Sequence, residues 1–235
     1  MRIPFAKYGY RELCLFAGIF VVLAAVGYWL WWPLAVVFGL LAAQVVWFFR
    51  DPPRTVPQGH GLLVSPADGT VTDISDVENA EFIGGPARRI GIFLSIFSVH
   101  INRAPCAGTV SYIGYHKGKF INALKPESSA DNESNSVGLT LPEPAGARLL
   151  VRQISGAIAR RIVCDCKQGD SLARGERFGM IKFGSRTELF IPRDLPFEVA
   201  VKIGQKVKAG ATVIGTIGAL STERQPLDTE QQTSK

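Results

Sequence analysis

The apolar and polar positions divide the chain into two unlike parts. Between residues 13 and 49 there is no charged side chain. A single helix of that length would run about 55 Å at ~1.5 Å per residue, nearly twice the hydrocarbon thickness of a bilayer. Its middle carries Gly27, Tyr28, Trp29, Leu30, Trp31, Trp32 and Pro33. Indole rings favour a membrane interface and proline disfavours an unbroken helix, so the pattern predicts two short helices joined near residues 28–33. Arg2, Lys7 and Arg11 precede the apolar stretch, and Arg50 and Arg54 follow it. Positive charge at both ends and none at the turn place both ends on the cytoplasmic side of a cell membrane. A cleaved signal peptide fits less well, because a second apolar run follows the first at once. A hairpin spanning the bilayer and one lying within a single leaflet are both compatible with the pattern.

Pro52, Pro53, Pro57, Gly59 and Gly61 deny regular structure to residues 51–61, which read as a linker. Beyond them the pattern changes to short apolar runs punctuated by turns, at 61–65, 70–74, 89–97, 109–113, 149–154, 159–164, 197–201 and 212–217. Turns at Gly169-Asp170 and Gly204-Gln205 precede further short strands. This spacing predicts a mainly β, compact antiparallel domain, with turns like those of lipoyl-like barrel-sandwich folds. The chain then divides into a membrane anchor of two short helices at 1–50, a β domain at 51–220 and a disordered tail at 221–235. Residues 116–136 break the pattern with Lys117, Lys119, Lys125 and a polar run to Ser136. They read either as a solvated surface loop or as a mobile lid.

The net charge of +6 suits an anionic membrane surface, and no nucleic-acid-binding motif is present. Of the four cysteines, Cys164 and Cys166 are too close for the usual zinc spacing, and Cys14 and Cys106 are isolated. Reduced thiols, no disulfide and no structural metal are expected.

The candidate chemistry lies at Gly184-Ser185. Met180, Ile181 and Phe183 precede this pair, and Leu189, Phe190 and Ile191 follow it, so both flanks read as strands. A Gly-Ser step there is compatible with a bulge or tight bend. It is also compatible with attack of the serine hydroxyl on the preceding carbonyl, which glycine leaves unshielded. Elimination from the resulting ester would break the chain and leave a dehydroalanine that becomes a pyruvoyl group.

The stretch Gly175-Glu176-Arg177-Phe178-Gly179-Met180-Ile181-Lys182-Phe183-Gly184-Ser185-Arg186 resembles the cleavage-site signature of the phosphatidylserine decarboxylases, in their short form. The likeness continues at Phe48-Phe49-Arg50-Asp51-Pro52, Ser65-Pro66-Ala67-Asp68-Gly69 and Val99-His100-Ile101-Asn102-Arg103-Ala104-Pro105, in the family's order. The resemblance implies a proenzyme cut between Gly184 and Ser185 into a long chain, 1–184, and a short chain, 185–235, that stay together as a heterodimer. A higher homo-oligomer is left open. It implies a covalent pyruvoyl cofactor made from Ser185, a Schiff base with the substrate amine, and decarboxylation of phosphatidylserine to phosphatidylethanolamine at the membrane.

It also implies that His100 is catalytic. The longer forms of the family carry a second histidine three residues on, assigned to self-cleavage. Here that position is Arg103, so either His100 serves both steps or another group replaces the missing one. Asp68 reads as the turn residue of an Asp-Gly hairpin or, by the resemblance, as the acid of a Ser-His-Asp relay. Arg88, Arg89, Lys117, Lys119, Arg160 and Arg161 are candidates for a lipid phosphate, and none is singled out. Rival readings are an ether-linked lipid substrate, a membrane-tethered lipoyl-like module without catalysis, and a metallopeptidase. The last lacks any HxH or HExxH motif.

Overall fold

The computed structural model describes residues 5–124, 127–157, 161–182 and 184–218. The expected tail at 221–235 and the expected contributions of Arg2, Lys125, Arg160 and Phe183 lie outside the described residues. A 3₁₀ turn (Lys7–Gly9) leads into α1 (Tyr10–Leu30) and α2 (Trp32–Phe48). The break between them is Trp31, extended at φ −168° and ψ 110°. Pro33 falls in the first turn of α2, where its missing N–H removes no helical hydrogen bond. Gly27 lets the helices approach, since a β-carbon there would lie 2.9 Å from Cβ of Leu34. Large apolar side chains face outward, Trp29 being 89% exposed. Lys7–Leu30 is long and apolar enough to cross a bilayer, and Trp32–Phe48 is shorter. At the foot of the pair the Ala6 N–H donates to Phe49 O (2.8 Å).

The strands are β1 (Leu62–Val64), β2 (Gly69–Ala80), β3 (Gly85–Leu94), β4 (Ile101–Arg103), β5 (Gly108–His116), β6 (Ser134–Thr140), β7 (Arg148–Ile154), β8 (Ile162–Cys164), β9 (Ser171–Leu172), β10 (Arg177–Ile181), β11 (Ser185–Pro192), β12 (Phe197–Val199), β13 (Lys206–Val207) and β14 (Val213–Ile217). Eight form a curled sheet in the order β13-β2-β3-β11-β7-β6-β5-β9, and β4-β10-β8 and β1-β14-β12 form two small sheets. Every pairing between these strands is antiparallel. The expected mainly β domain behind apolar helices is therefore what the chain forms. Its principal core gathers Val71, Ile90, Ile92, Leu139, Val151 and Leu189, all at most 1% exposed. Removing each such side chain from water contributes about 1.5–3 kcal/mol.

Residues 116–136 depart from expectation. Their end is not surface: Ser134, Asn135 and Ser136 open β6, a buried strand between β5 and β7. The side chains of Asn135 and Ser136 are tolerated there because each finds a partner. The Asn135 amide donates to Gln153 Oε1 (3.0 Å), Gln153 donates to Asn102 Oδ1 (2.9 Å), and Ser136 donates to Glu81 (2.9 Å). The amide chain Asn135-Gln153-Asn102 ties β6 and β7 of the large sheet to β4 of a small one.

The foot of the helical pair packs on the domain instead of standing off it. Ala6, Leu13, Phe48 and Phe49 form a second apolar cluster with Val99, Ile101 and Met180. Asp51 follows directly and is 5% exposed. It takes Arg103 Nη2 at 3.0 Å and Arg177 Nε at 2.6 Å. Burial lowers the pKa of Arg103 to about 10, so it stays charged at neutral pH. Arg103 also donates to Gly175 O (3.0 Å). Removing one partner from a buried charge cluster leaves the others uncompensated, at a cost of about 3–5 kcal/mol. Asp51→Ala should therefore lower the thermal unfolding midpoint in detergent markedly. An unchanged midpoint would show that the cluster contributes no net stability.

Candidate active site

Several strand ends converge on Gly184-Ser185. Ser185 is the first residue of β11, and in the ladder it lies opposite Leu94, the last residue of β3. On the other side Arg186 pairs with Ile154, the last residue of β7. Continuing that register sets Ser155 beside Ser185 and Gly156 beside Gly184. The approach is close enough that a β-carbon on Gly156 would collide with the Gly184 carbonyl oxygen, so only glycine fits there. Gly184 itself adopts φ +60°, the left-handed region that favours glycine. A side chain would find room at 184 but not a comfortable backbone.

Ser185 is fully buried, and its Oγ has no hydrogen-bond partner. Ser155 Oγ, next in the facing strand, is in the same condition. Ser155 is fixed through its backbone, its N–H donating to Glu133 O (2.9 Å) and its carbonyl accepting from Asn132 Nδ2 (2.8 Å). The polar segment at 132–133 thus braces the wall against which the Gly184 carbonyl rests.

His100 enters from the small sheet. Met180 pairs with Ile101, and the Ile181 N–H donates to His100 O (3.2 Å), which sets the histidine beside the end of β10, the strand that leads to Gly184. The ring is fully buried and packs on Phe48, with centroids 4.3 Å apart. Nδ1 lies 2.9 Å from Ser98 O. A carbonyl only accepts, so Nδ1 carries the proton and Nε2 presents a lone pair. Nε2 has no hydrogen-bond partner. Burial pushes the pKa of His100 down to about 4, so the ring is a neutral base at physiological pH.

The other expected contributors are placed elsewhere. Asp68 accepts from Arg54 Nη2 (2.7 Å) and from the Ala209 N–H (2.8 Å), while His100 is oriented by Ser98. The Asp–His link of a Ser-His-Asp relay is therefore absent from this arrangement. Nor is Asp68-Gly69 a hairpin turn, because β1 pairs with β14, and β2 with β3 and β13. Gly69 is needed because a β-carbon there would strike the Phe93 carbonyl. Arg103, at the position of the family's second histidine, is committed to Asp51 and Gly175 O.

Of the candidate phosphate ligands, Arg88, Arg89, Lys119 and Arg161 each sit against a carboxylate, respectively Asp76, Asp73, Asp131 and Glu12. Lys117 is exposed. A surface cavity of about 690 Å³ is lined by Gly85, Arg148, Pro192 and Arg193, at the far end of β3 and β11 from Ser185. Among the described residues no group of three or more His, Cys, Asp or Glu side chains is placed to hold a metal ion.

Sequence reasoning missed four contributors. Ser155-Gly156 reads as a turn after an apolar run, but nothing local says that it faces Gly184. Phe48 heads one of the stretches that carry the family likeness, but nothing in the sequence says that it walls His100. Lys182, 5% exposed, reaches Glu12 in the first turn of α1 (2.7 Å) and so pins the segment before Gly184 to the helical pair.

Comparison with known proteins agrees with this geometry. A family model described as phosphatidylserine decarboxylase matches residues 41–215. A phosphatidylserine decarboxylase proenzyme of Rhodopirellula baltica is 51% identical over 211 residues, covering 90% of this chain and 87% of the relative. Proenzymes of the same name from Magnetococcus marinus (42% identical; 90% of this chain, 94% of the relative) and Carboxydothermus hydrogenoformans (44%; 92% and 99%) match as fully. Likeness of this extent over nearly the whole length places the chain in the phosphatidylserine decarboxylase family and makes it a decarboxylase, a lyase.

Proposed function

We propose that the chain is the precursor of a pyruvoyl-dependent enzyme that decarboxylates phosphatidylserine to phosphatidylethanolamine at a cell membrane, with its β domain on the cytoplasmic side. The observation that carries this reading is the buried, partnerless Ser185 hydroxyl beside a left-handed Gly184 whose carbonyl is seated against Gly156. An unpaired buried hydroxyl costs about 1–3 kcal/mol, and such groups persist where chemistry uses them.

Ser185 Oγ attacks the Gly184 carbonyl carbon and gives up its proton to a base. The C–N bond then breaks, leaving an ester with a free amine on residue 185. Loss of the α-proton of residue 185 expels the Gly184 carboxylate, which ends the 1–184 chain. Water then replaces the amine of the dehydroalanine, releasing ammonia and leaving a pyruvoyl group at the head of the 185–235 chain. The atoms around Ser185 suit this: Gly184 has no side chain to shield its carbonyl, and Gly156 lets the facing strand end close against it. His100, held as a neutral ring with a free Nε2, is the acceptor proposed for proton transfer, and Arg103 being spent on Asp51 leaves His100 to serve both stages. The pyruvoyl group supplies the electron sink for loss of carbon dioxide from an amino-acid head group. The apolar helices keep a lipid substrate next to the domain.

Intact-mass analysis tests the core of this reading. Wild-type protein should weigh in as two chains divided after Gly184, and Ser185→Ala as one chain of 235 residues. Two fragments from that variant would refute the nucleophile. Gly156→Ala, whose β-carbon must push the strand ends apart, should lower the melting midpoint relative to Ser185→Ala and cut itself about 100-fold more slowly, the scale of penalty for a displaced reacting group. Cutting at the wild-type rate would remove Gly156 from the site. With the His100 pKa at about 4, the neutral base survives acidification, so the self-cleavage rate should stay level from pH 7.5 to 5.5 and fall only as pH approaches 4. A midpoint near the ordinary histidine value of 6.5 would contradict the buried, neutral assignment.

A further inference from the structure

The connection between β3 and β4 joins two parts of the site. It begins after Leu94, the ladder partner of Ser185, and it contains Ser98, which orients His100. Residues 95–98 form a tight turn, closed by the Ser98 N–H to Ser95 O (2.9 Å) and by their hydroxyls 3.3 Å apart. Extending the β3–β11 register sets Ser95 beside Gly184, on the side opposite Gly156. Turn tips usually carry Gly, Asn, Asp, Ser or Pro. This one carries Ile96 and Phe97, 40% and 63% exposed. The sequence pattern ran the strand on to residue 97, and the structure ends it at Leu94 to make the turn.

The tip is also fixed in place. Arg50, just past α2, donates to Phe97 O (2.7 Å) and to Trp47 O (2.8 Å), and its guanidinium lies over the Trp47 ring at 4.3 Å. One side chain therefore holds the turn against the last turn of α2, where Val46 (39%) and Trp47 (55%) are also exposed. Ile96 and Phe97 thereby extend the outward apolar surface of the helices onto the catalytic domain, at the edge where the site's strands end. A guanidinium at that edge, on a chain of net charge +6, complements the head groups of an anionic bilayer.

We propose that the turn bearing Ile96 and Phe97 enters the lipid bilayer beside the helical pair and forms the port through which a lipid head group passes from the membrane to Ser185 and His100. The occupant of this apolar surface is the acyl-chain region of an anionic phospholipid bilayer. The proposal rests on the reading of the helices as membrane-embedded and of the substrate as a lipid, and its test separates the two.

The full chain, reconstituted in phosphatidylserine/phosphatidylcholine vesicles, is made with a photoreactive benzoylphenylalanine at one of three positions. Val21, on α1, reports whether the helices contact lipid at all. Ile203, exposed in the connection between β12 and β13, is the control within the domain. Phe97→benzoylphenylalanine should crosslink to phospholipid on irradiation, at a yield close to that at Val21 and at least about fivefold above that at Ile203, as expected for a side chain buried among acyl chains. A yield at position 97 no higher than at Ile203 overturns the port. Absence of lipid adducts at Val21 overturns the membrane reading and the port with it.

Kinetics give a second readout. The double variant Ile96→Asp, Phe97→Asp should still cut itself. On vesicle phosphatidylserine it should lose about tenfold or more in kcat/KM, carried by KM, because charge is excluded from the acyl region. On a soluble short-chain phosphatidylserine it should stay within about twofold of wild type, since that substrate needs no port. Equal losses on both substrates would show that the turn merely props His100, and would overturn the proposal.

Discussion

A serine hydroxyl enclosed in a β-sheet without a hydrogen-bond partner is a standing cost of about 1–3 kcal/mol, and the fold is arranged to sustain it at Ser185. Ser185 cannot escape the strain by turning to solvent, because it opens a strand flanked on both sides, by β3 and by β7. The Gly184 carbonyl cannot swing away, because the end of β7 lies against it, and that end is in turn held by Asn132 and Glu133. The polar stretch that looks like a surface loop in the sequence is thus part of the frame. A two-sheet arrangement alone would not fix the histidine relative to this strand. The buried amides of Asn135, Gln153 and Asn102 do so, by joining the large sheet to the small sheet whose β4 begins next to His100, and Asn102 also donates to Thr187 in β11 (3.0 Å).

The helical pair has a structural part in the site as well as an apolar exterior. Phe48 supplies the ring on which His100 packs, and the low-dielectric wall it helps to build is what depresses the histidine's affinity for protons. Glu12 reaches Lys182, two residues before Gly184. Arg50 reaches Phe97. Three contacts from the foot of the helices therefore touch three different approaches to Gly184-Ser185. This explains why the segment after α2 cannot be a free tether: Asp51 is spent on two arginines, the buried Arg103 in β4 and the half-buried Arg177 in β10.

Much of this was legible in the pattern of residues, and the exceptions have physical causes. The break at Trp31 and the short strands after Gly169 and Gly204 follow from proline, tryptophan and glycine chemistry that acts locally. The burial of residues 134–136 was not legible, because serine and asparagine enter a core only when a distant partner satisfies them, and Gln153 and Glu81 are far away in sequence. The partners of Asp68 were not legible for the same reason. Its partner, Arg54, comes from a proline-rich segment that carries no periodicity, and the carbonyl of Ser98 does for His100 what a carboxylate was expected to do. Gly156 shows the limit most plainly, since one missing β-carbon acquires meaning only when a second strand arrives beside it.

The backbone bond from Ala6 to Phe49 brings the entry and exit of the helical pair to the same place. No guanidinium, ammonium or carboxylate lies between residues 13 and 49, so under the proposed membrane reading the pair would carry only a turn of indole and aliphatic groups into hydrocarbon. Insertion then strips no ion of its water, the step that makes passage of polar chain through lipid slow. On the proposed membrane reading, a hairpin of this kind would seat itself from one side of a bilayer, and the strands around Ser185 would fold in the compartment from which the helices set out.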